Sequence, residues 1–360
     1  MNSLNEHIAQ ISSAIDDWLQ ADNQTLKRAI ERTVEEGLFG IEDIKHQIRH
    51  LKNSLTEENL IKWTKNTDFS DWPLSSKNIV CLHAGNLPLV GLQDLLAVTL
   101  TGANYIGKLS KKDPYLLPTL IEKLDQKNIG GVRKWSTTLS DLTGNRADAV
   151  LFAGSEDSVE PVISSLSNFG IANQKTPRLM RTAHFSIAFI EDYSKKTMED
   201  LTEAVFRYGG TGCRSVAIVV APFSFKSQKC HFTDYIESFW LKNPQHQKPS
   251  NSLFYRYATN KALGIEQSWL NDFLIEERLS LHTDKFVLQW IEGDEQTLAE
   301  IIQQFRTGLQ TVYTQSGEIP KYFGHSEPPE TDMLANAQTP DIWWKPDGVD
   351  TVEWLFKNVG

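Results

Sequence analysis

Between residues 77 and 153 the chain repeats one device three times: a short apolar run stops at a turn and gives way to a helix-forming stretch. Residues 77–83 (KNIVCLH), 104–109 and 147–153 (ADAVLFA) are too short and too uniformly apolar for surface helices and read as buried strands. Helices are expected at 89–100, stopped at Gly102, at 114–124, and after Gly154-Ser155, with Glu156 and Asp157 in the first turn. Residues 185–190 read as a fourth strand. Such alternation constrains the fold to a parallel sheet covered by helices on both faces, in which ligands bind at the strand carboxyl ends.

On either side of this core the pattern changes. Residues 1–70 carry four helical stripes: Ile8, Ile11, Ile15 and Leu19; Leu26, Ile30 and Val34; Ile41, Ile44, Ile48 and Leu51; and a short one at 55–63. After residue 215 a second α/β unit is expected. Its strands are 216–221, 285–291 and 309–314, and its helices 233–241 and 295–305. Residues 316–350 are rich in Gly, Pro and Asp and read as loop, and 351–357 as a closing helix.

Composition narrows the function classes. A net charge of −10 over 360 residues disfavours bulk attraction to nucleic acid or to an anionic membrane. No apolar run approaches the ~20 residues of a membrane span. The polar start shows no signal peptide, so a cytoplasmic location is expected. Three cysteines (Cys81, Cys213, Cys230) suggest neither a disulfide framework nor, with the histidines, a zinc site.

Four places carry candidate chemistry. Tyr208-Gly209-Gly210-Thr211-Gly212-Cys213-Arg214 joins a helical run to the strand at 216. Its glycines allow a sharp bend and close approach, and Arg214 would favour a thiolate at Cys213. The other reading is a helix stop beside a buried, inert thiol. Gly85-Asn86-Leu87-Pro88 follows a strand; the Asn86 amide suits an oxyanion, or simply forms an Asx turn. Lys108, Ser110, Lys111 and Lys112 could hold ribose hydroxyls or phosphate, or be a solvated charge cluster. Gly154-Ser155 offers backbone N–H groups suited to a pyrophosphate, or is an ordinary helix cap. No G-x-G-x-x-G follows any strand.

Five segments together resemble the aldehyde dehydrogenase superfamily, and within it the acyl-CoA reductase branch that supplies fatty aldehyde for bacterial luminescence. They are HAGNLPLVG (83–91), YIGKLSKKD (105–113), LFAGS (151–155), YGGTGCRSV (208–216) and AQTP…DGVDTVEWL (337–355). The resemblance implies an α/β fold with a Rossmann-type cofactor domain (71–205) and a catalytic α/β domain (206–335) bearing the cysteine. The N-terminal helical segment (1–70), read from its stripes and outside the resemblance, is expected to pack on the cofactor domain. A tail (336–360) would return to that domain or to a subunit interface.

By position, the resemblance makes Cys213 the thiolate nucleophile and Asn86, with the Cys213 N–H, the oxyanion holder. Lys108 then touches the adenine-side ribose, Ser110 lies on the same cofactor loop, and Gly154 and Ser155 lie under the pyrophosphate. Lys111 stands where NAD-preferring relatives often have a ribose-binding glutamate, so it favours NADPH, with NADH as the other nicotinamide cofactor. The water-activating glutamate of hydrolytic relatives is missing: residues 180–186 read Met-Arg-Thr-Ala-His-Phe-Ser. That fits reduction of an acyl thioester, acyl-CoA with a fatty chain foremost, to an aldehyde. An acyl-carrier-protein thioester, an acyl phosphate, or a non-catalytic protein keeping the fold are the alternatives. His184 is a structural residue or a proton carrier. Trp240, Phe254, Trp269 and Phe273 belong to core or to an acyl tunnel. A homo-oligomer and an acyl-donating partner enzyme are further implications.

Overall fold

A computed structural model describes residues 2–244, 251–270, 273–280, 285–319 and 329–360. It divides into two compact units, Met1–Thr182 with Asp341–Gly360, and Ala183–Pro340.

The first unit opens with helices α1 (Asn2–Trp18), α2 (Gln24–Glu35), α3 (Ile41–Ser54) and α4 (Glu57–Thr64). Asn23 caps α2 by accepting the Thr25 and Leu26 N–H groups, and Thr56 caps α4 through the Asn59 N–H. The stripe read from the sequence is the buried face of α1, with Ile8, Ile11, Ala14, Ile15 and Trp18 at 1% exposure or less. Next come β1 (Asn78–Leu82), α5 (Leu92–Thr101), β2 (Asn104–Lys108), α6 (Leu116–Gln126), β3 (Arg133–Ser136), β4 (Ala149–Ala153), α7 (Val159–Asn168) and β5 (Arg178–Arg181). Two buried polar contacts fasten α1 to this layer: Trp18 Nε1 donates to Thr119 Oγ1 at 2.7 Å, and His7 Nε2 lies 2.8 Å from the Thr99 carbonyl oxygen.

The five strands form one parallel sheet in the order β3-β2-β1-β4-β5. The inner three are the apolar runs seen in the sequence. The flanking β3 (RKWS) and β5 (RLMR) have no apolar run to betray them, because an edge strand is buried on fewer sides.

The second unit contains β6 (Phe185–Phe189), α8 (Lys195–Phe206), β7 (Val216–Ala221), α9 (Phe225–Lys242), α10 (Asn251–Ala262), β8 (Gln267–Leu270), β9 (Phe273–Glu276), β10 (Val287–Glu292), α11 (Glu295–Phe305), β11 (Leu309–Thr314) and β12 (Thr331–Met333). Its sheet runs β12-β11-β6-β7-β10-β9-β8, parallel throughout except for the β8–β9 pair. Asp294 and Thr297 form a reciprocal cap at the start of α11. The chain then returns to the first unit, where α12 (Thr351–Val359) buries Val352, Leu355 and Val359 in the core that contains α5.

The unit boundary differs from the expected 205/206. β6 hydrogen-bonds to β7 and β11, and α8 buries Met198, Leu201 and Val205 in the second core, so the fourth apolar run does not join the first sheet. The break therefore falls between Thr182 and Ala183, and the tail joins the first unit from Asp341. The stretch read as loop also contains β12. Parts of it, 320–328, lie outside the described residues.

Candidate functional site

In the first unit, the strand order reverses between β1 and β4, the place where doubly wound sheets leave a ligand crevice at their carboxyl edge. Leu82 pairs in register with both Lys108 and Phe152, so the ends of β1, β2 and β4 are level. All the candidates named in this unit leave those three ends. Asn86 is half-buried in the turn after β1. Lys108 closes β2, with Ser110 half-buried and Lys111 exposed beyond it. Gly154 and the exposed Ser155 follow β4.

Lys108 is half-buried, and burial, followed by repulsion from Lys111, lowers its pKa. An anion bound between the two cations would relieve both effects. Ser110 is used to hold its loop: its Oγ accepts the Lys112 N–H at 3.2 Å and lies where a Cβ on Gly85 would collide. Ser155 departs from the helix-cap reading. A 3-10 turn, Glu156–Ser158, separates it from α7, no side-chain cap bond forms, and its hydroxyl pairs with Ser158 Oγ at 2.6 Å. Gly154 is tight against the sheet, since a Cβ there would lie 2.5 Å from the Phe152 ring. The turn also carries exposed Glu156 and Asp157, whose charges oppose an anion.

Beneath this edge lies a buried polar cluster that the sequence reading missed. Arg181, last in β5, donates from Nη2 to Asp94 Oδ2 at 2.6 Å, and both side chains are at most 6% exposed. His83, directly after β1, has Nδ1 3.8 Å from the same carboxylate oxygen and Nε2 2.7 Å from Tyr105 Oη. Burial pushes the imidazole down to about 4 against the pull of Asp94, so it is neutral at ordinary pH. Burial, then Asp94, raises the nearby Cys81 thiol well above its usual range and leaves it inert. The signal was available: Asp94 is the single charged residue in a mostly apolar helix (LQDLLAVTLT).

A second missed carboxylate, Asp113, is 6% exposed and accepts the Leu89 N–H at 2.7 Å through Oδ2. The tail also reaches this region. Gln93 Nε2 donates to the carbonyls of Ile342 and Trp344 at 2.8 and 2.7 Å, and Asp347 Oδ2 accepts the Thr182 N–H at 2.8 Å.

In the second unit, Cys213 lies in the turn that leads from α8 into β7, at the amino end of that strand. Tyr208, Gly209 and Gly210 are consecutive left-handed residues with φ of 57°, 67° and 67°. A Cβ on Gly210 would lie 2.8 Å from the Val205 carbonyl, so glycine is required there on both counts. Arg207 anchors the entry to the turn, with Nε and Nη2 on Glu203 at 2.5 and 2.9 Å and its guanidinium over Phe239.

Beyond the glycines, Thr211 Oγ1 donates to the Tyr208 carbonyl at 2.9 Å and the Gly212 N–H to Ser215 Oγ at 3.2 Å. Ser186 Oγ donates to the Cys213 carbonyl at 3.1 Å. Cys213 is partly exposed, unlike buried Cys81, and sits on a glycine turn, unlike exposed Cys230 on α9. Arg214 is buried beside it, and the Tyr313 phenol, its own pKa raised by burial, lies within electrostatic reach of both Arg214 and Cys213. Among the described residues no group of three or more His, Cys, Asp or Glu is placed to hold a metal ion.

Of the remaining candidates, His184 is exposed, packs on the Phe185 ring and gives its N–H to the Gly308 carbonyl. Phe273 is core, 4.7 Å from the Phe206 ring centroid, and Trp240 packs on Phe206 and Phe239. Phe254 is 54% exposed and stacks on Trp269.

No family model and no curated protein sequence matches the chain. Solved structures do. Aldehyde dehydrogenase 21 from Physcomitrella patens, in complex with the product succinate, matches over 86% of this chain and 73% of its own at 11% identity, with a TM-score of 0.60. Betaine aldehyde dehydrogenase from Staphylococcus aureus matches over 89% and 72% at 12% identity, also at 0.60. An NAD+ complex of an aldehyde dehydrogenase from Bacillus cereus matches over 86% and 71% at 12% identity, at 0.56. The fold is aldehyde-dehydrogenase-like, with a Rossmann-type parallel sheet in one unit and the cysteine-bearing sheet in the other. No helix among the described residues is long and apolar enough to cross a membrane.

Proposed function

We propose that this chain is an NAD(P)-dependent oxidoreductase working at the aldehyde level, and specifically that it reduces an acyl thioester, acyl-CoA foremost, to the aldehyde with NADPH. The observation that carries this reading is the partly exposed Cys213, set in a left-handed glycine turn in a fold of the aldehyde dehydrogenase kind.

In this reaction the Cys213 thiolate attacks the thioester carbonyl. The carrier sulfur leaves with its bonding electrons and takes a proton, and the acyl group remains on the enzyme as a thioester. The Asn86 amide and the Cys213 N–H are assigned to the oxyanion, where one such donor is typically worth ~3 kcal/mol. Lys108 and Lys111 are assigned to the anionic part of the cofactor, and the backbone at Gly154 and Ser155 to its pyrophosphate. The half-buried Lys108 beside Lys111 fits such an anion, and the lysine at 111 favours a 2′-phosphate. The bound dinucleotide would supply hydride to the acyl carbon. Cys213 then departs from the thiohemiacetal as thiolate, releasing aldehyde. Residues 180–186 contain no carboxylate to activate water, as a reductase requires none, and Arg181 is already committed to Asp94.

The test is Cys213→Ala with acyl-CoA and NADPH, followed by loss of cofactor absorbance, together with intact-mass detection of an acyl adduct on the unaltered chain. We expect an adduct on Cys213 and a fall in turnover of about 10³-fold or more in the variant. Undiminished turnover removes the proposal. Adduct formation with an acyl phosphate but not with acyl-CoA would redirect it.

A further inference from the structure

Two loops leave the carboxyl edge of the first sheet side by side, one after β1 and one after β2, and they interlock at three points. The His83 N–H donates to the Lys108 carbonyl at 3.0 Å. The backbone at Gly85 lies on the Ser110 side chain so closely that any Cβ would collide with it. The third point is Asp113, whose Oδ2 accepts the Leu89 N–H at 2.7 Å.

This last contact is costly in two ways. Leu89 has φ of +60°, a conformation that a branched side chain rarely takes, and its side chain is 2% exposed, so the surroundings must impose the bend. Asp113 is itself 6% exposed, and a carboxylate is withdrawn from water at a penalty unless it is used. The Leu89 N–H on Oδ2 offsets part of that penalty, while Oδ1 is buried with no hydrogen-bond partner. The carboxyl thus holds the bend of the first loop from the end of the second, just before α6 begins at Leu116.

We propose that Asp113 is a positioning residue that latches the Asn86 turn to the Lys108–Ser110–Lys111 segment, so that the amide assigned to the oxyanion and the groups assigned to the cofactor are set as one piece. This rests on the function proposed above. It adds that the two halves of the first unit's site are mechanically coupled through a residue that touches neither ligand. Loss of the latch lets both loops relax together, so substrate turnover and cofactor affinity fall together.

The experiment uses the full chain and three variants. D113N keeps an acceptor oxygen at the same reach. D113A removes it. D113S, whose hydroxyl stops one bond short, replaces D113A should that variant fail to fold. Three readouts are taken: kcat with acyl-CoA, the NADPH dissociation constant by fluorescence, and amide hydrogen exchange of peptides covering 83–91 and 108–116.

With D113A or D113S we expect kcat to fall about 10-fold or more, the NADPH dissociation constant to rise by a comparable factor, and both peptides to lose protection together. D113N should stay within about threefold of the parent on each. A lower melting temperature with kcat and cofactor affinity unchanged overturns the latch. So does loosening of one loop alone, or a D113N as impaired as D113A. Hydrogen exchange separates the two ideas: joint loosening in a chain that shows no reductase activity keeps the latch and discards the reaction.

Discussion

At the scale of single residues, burial sets which side chains are available for chemistry. Asp113 shows the effect in a form that pH can read. Burial raises its carboxyl from the ordinary 3.8 to about 7, against the Leu89 and Leu116 N–H groups. Below pH about 4 the group is protonated in the folded and the unfolded chain alike. Between about 4 and 7 the unfolded chain releases the proton first, so stability falls as pH rises through that window and is level above it. D113N should abolish this component. The stability difference between D113N and the parent, from urea denaturation at a series of pH values, is therefore expected to grow across that window by an order of a few kcal/mol. A difference that does not change with pH would place the carboxyl near its ordinary value.

Lys111 offers the second residue-scale expectation. Under the proposed function, K111E replaces a phosphate-binding cation with a carboxylate. It should raise the KM for NADPH by about tenfold or more, since a charge-assisted contact is worth about 1.5–3 kcal/mol, and it should improve NADH relative to NADPH. Steady-state kinetics with both cofactors checks this. An unchanged preference means that residue 111 does not meet the adenosine ribose.

At the scale of elements, helix α5 is tied to strand β5 by the Asp94–Arg181 pair, within a shell that also holds His83 and Tyr105. Neither charge can be removed alone without leaving the other buried. D94N is therefore expected to cost about 3–5 kcal/mol, read as a shift in the denaturation midpoint, while an apolar replacement of both residues should cost much less. Equal penalties for the single and double changes would show that the ion pair is not what joins the two elements.

Elements also show what a sequence can and cannot disclose. β1, β4 and β7 announce themselves because both faces are buried and their composition is nearly uniform. β3 (RKWS) and β8 (QSWL) do not, because edge strands mix polar and apolar residues. The α10 helix escaped for a related reason. Of its described residues only Leu253 and Asn260 are buried, so it carries no apolar stripe.

At the scale of the molecule, the reading of the candidate site was uneven in an informative way. Glycines and cysteines mark local geometry, and the turns at 85–88, 154–155 and 208–213 were visible as interruptions in apolar patterns. Asp94, Asp113 and Arg181 were not singled out, because their importance lies in neighbours far away in the chain: Arg181, Leu89 and Asp94 respectively. Unit membership was misjudged at β6 for the same reason. A strand's sequence gives its burial but not its partners, and hydrogen bonding to β7 and β11 decides the matter.

The first unit is assembled from two pieces, Met1–Thr182 and Asp341–Gly360, whereas the second is one uninterrupted segment. On a ribosome this sets an order of events. The Ala183–Pro340 segment is available in full before the last piece has been synthesised, and can close on itself. The apolar surface of the first unit that receives Val352, Leu355 and Val359 stays bare to water until residues 341–360 have been made. The late arrival of those few side chains makes the interval between completion of the second unit and synthesis of residues 341–360 the time at which a nascent molecule most needs shelter from aggregation.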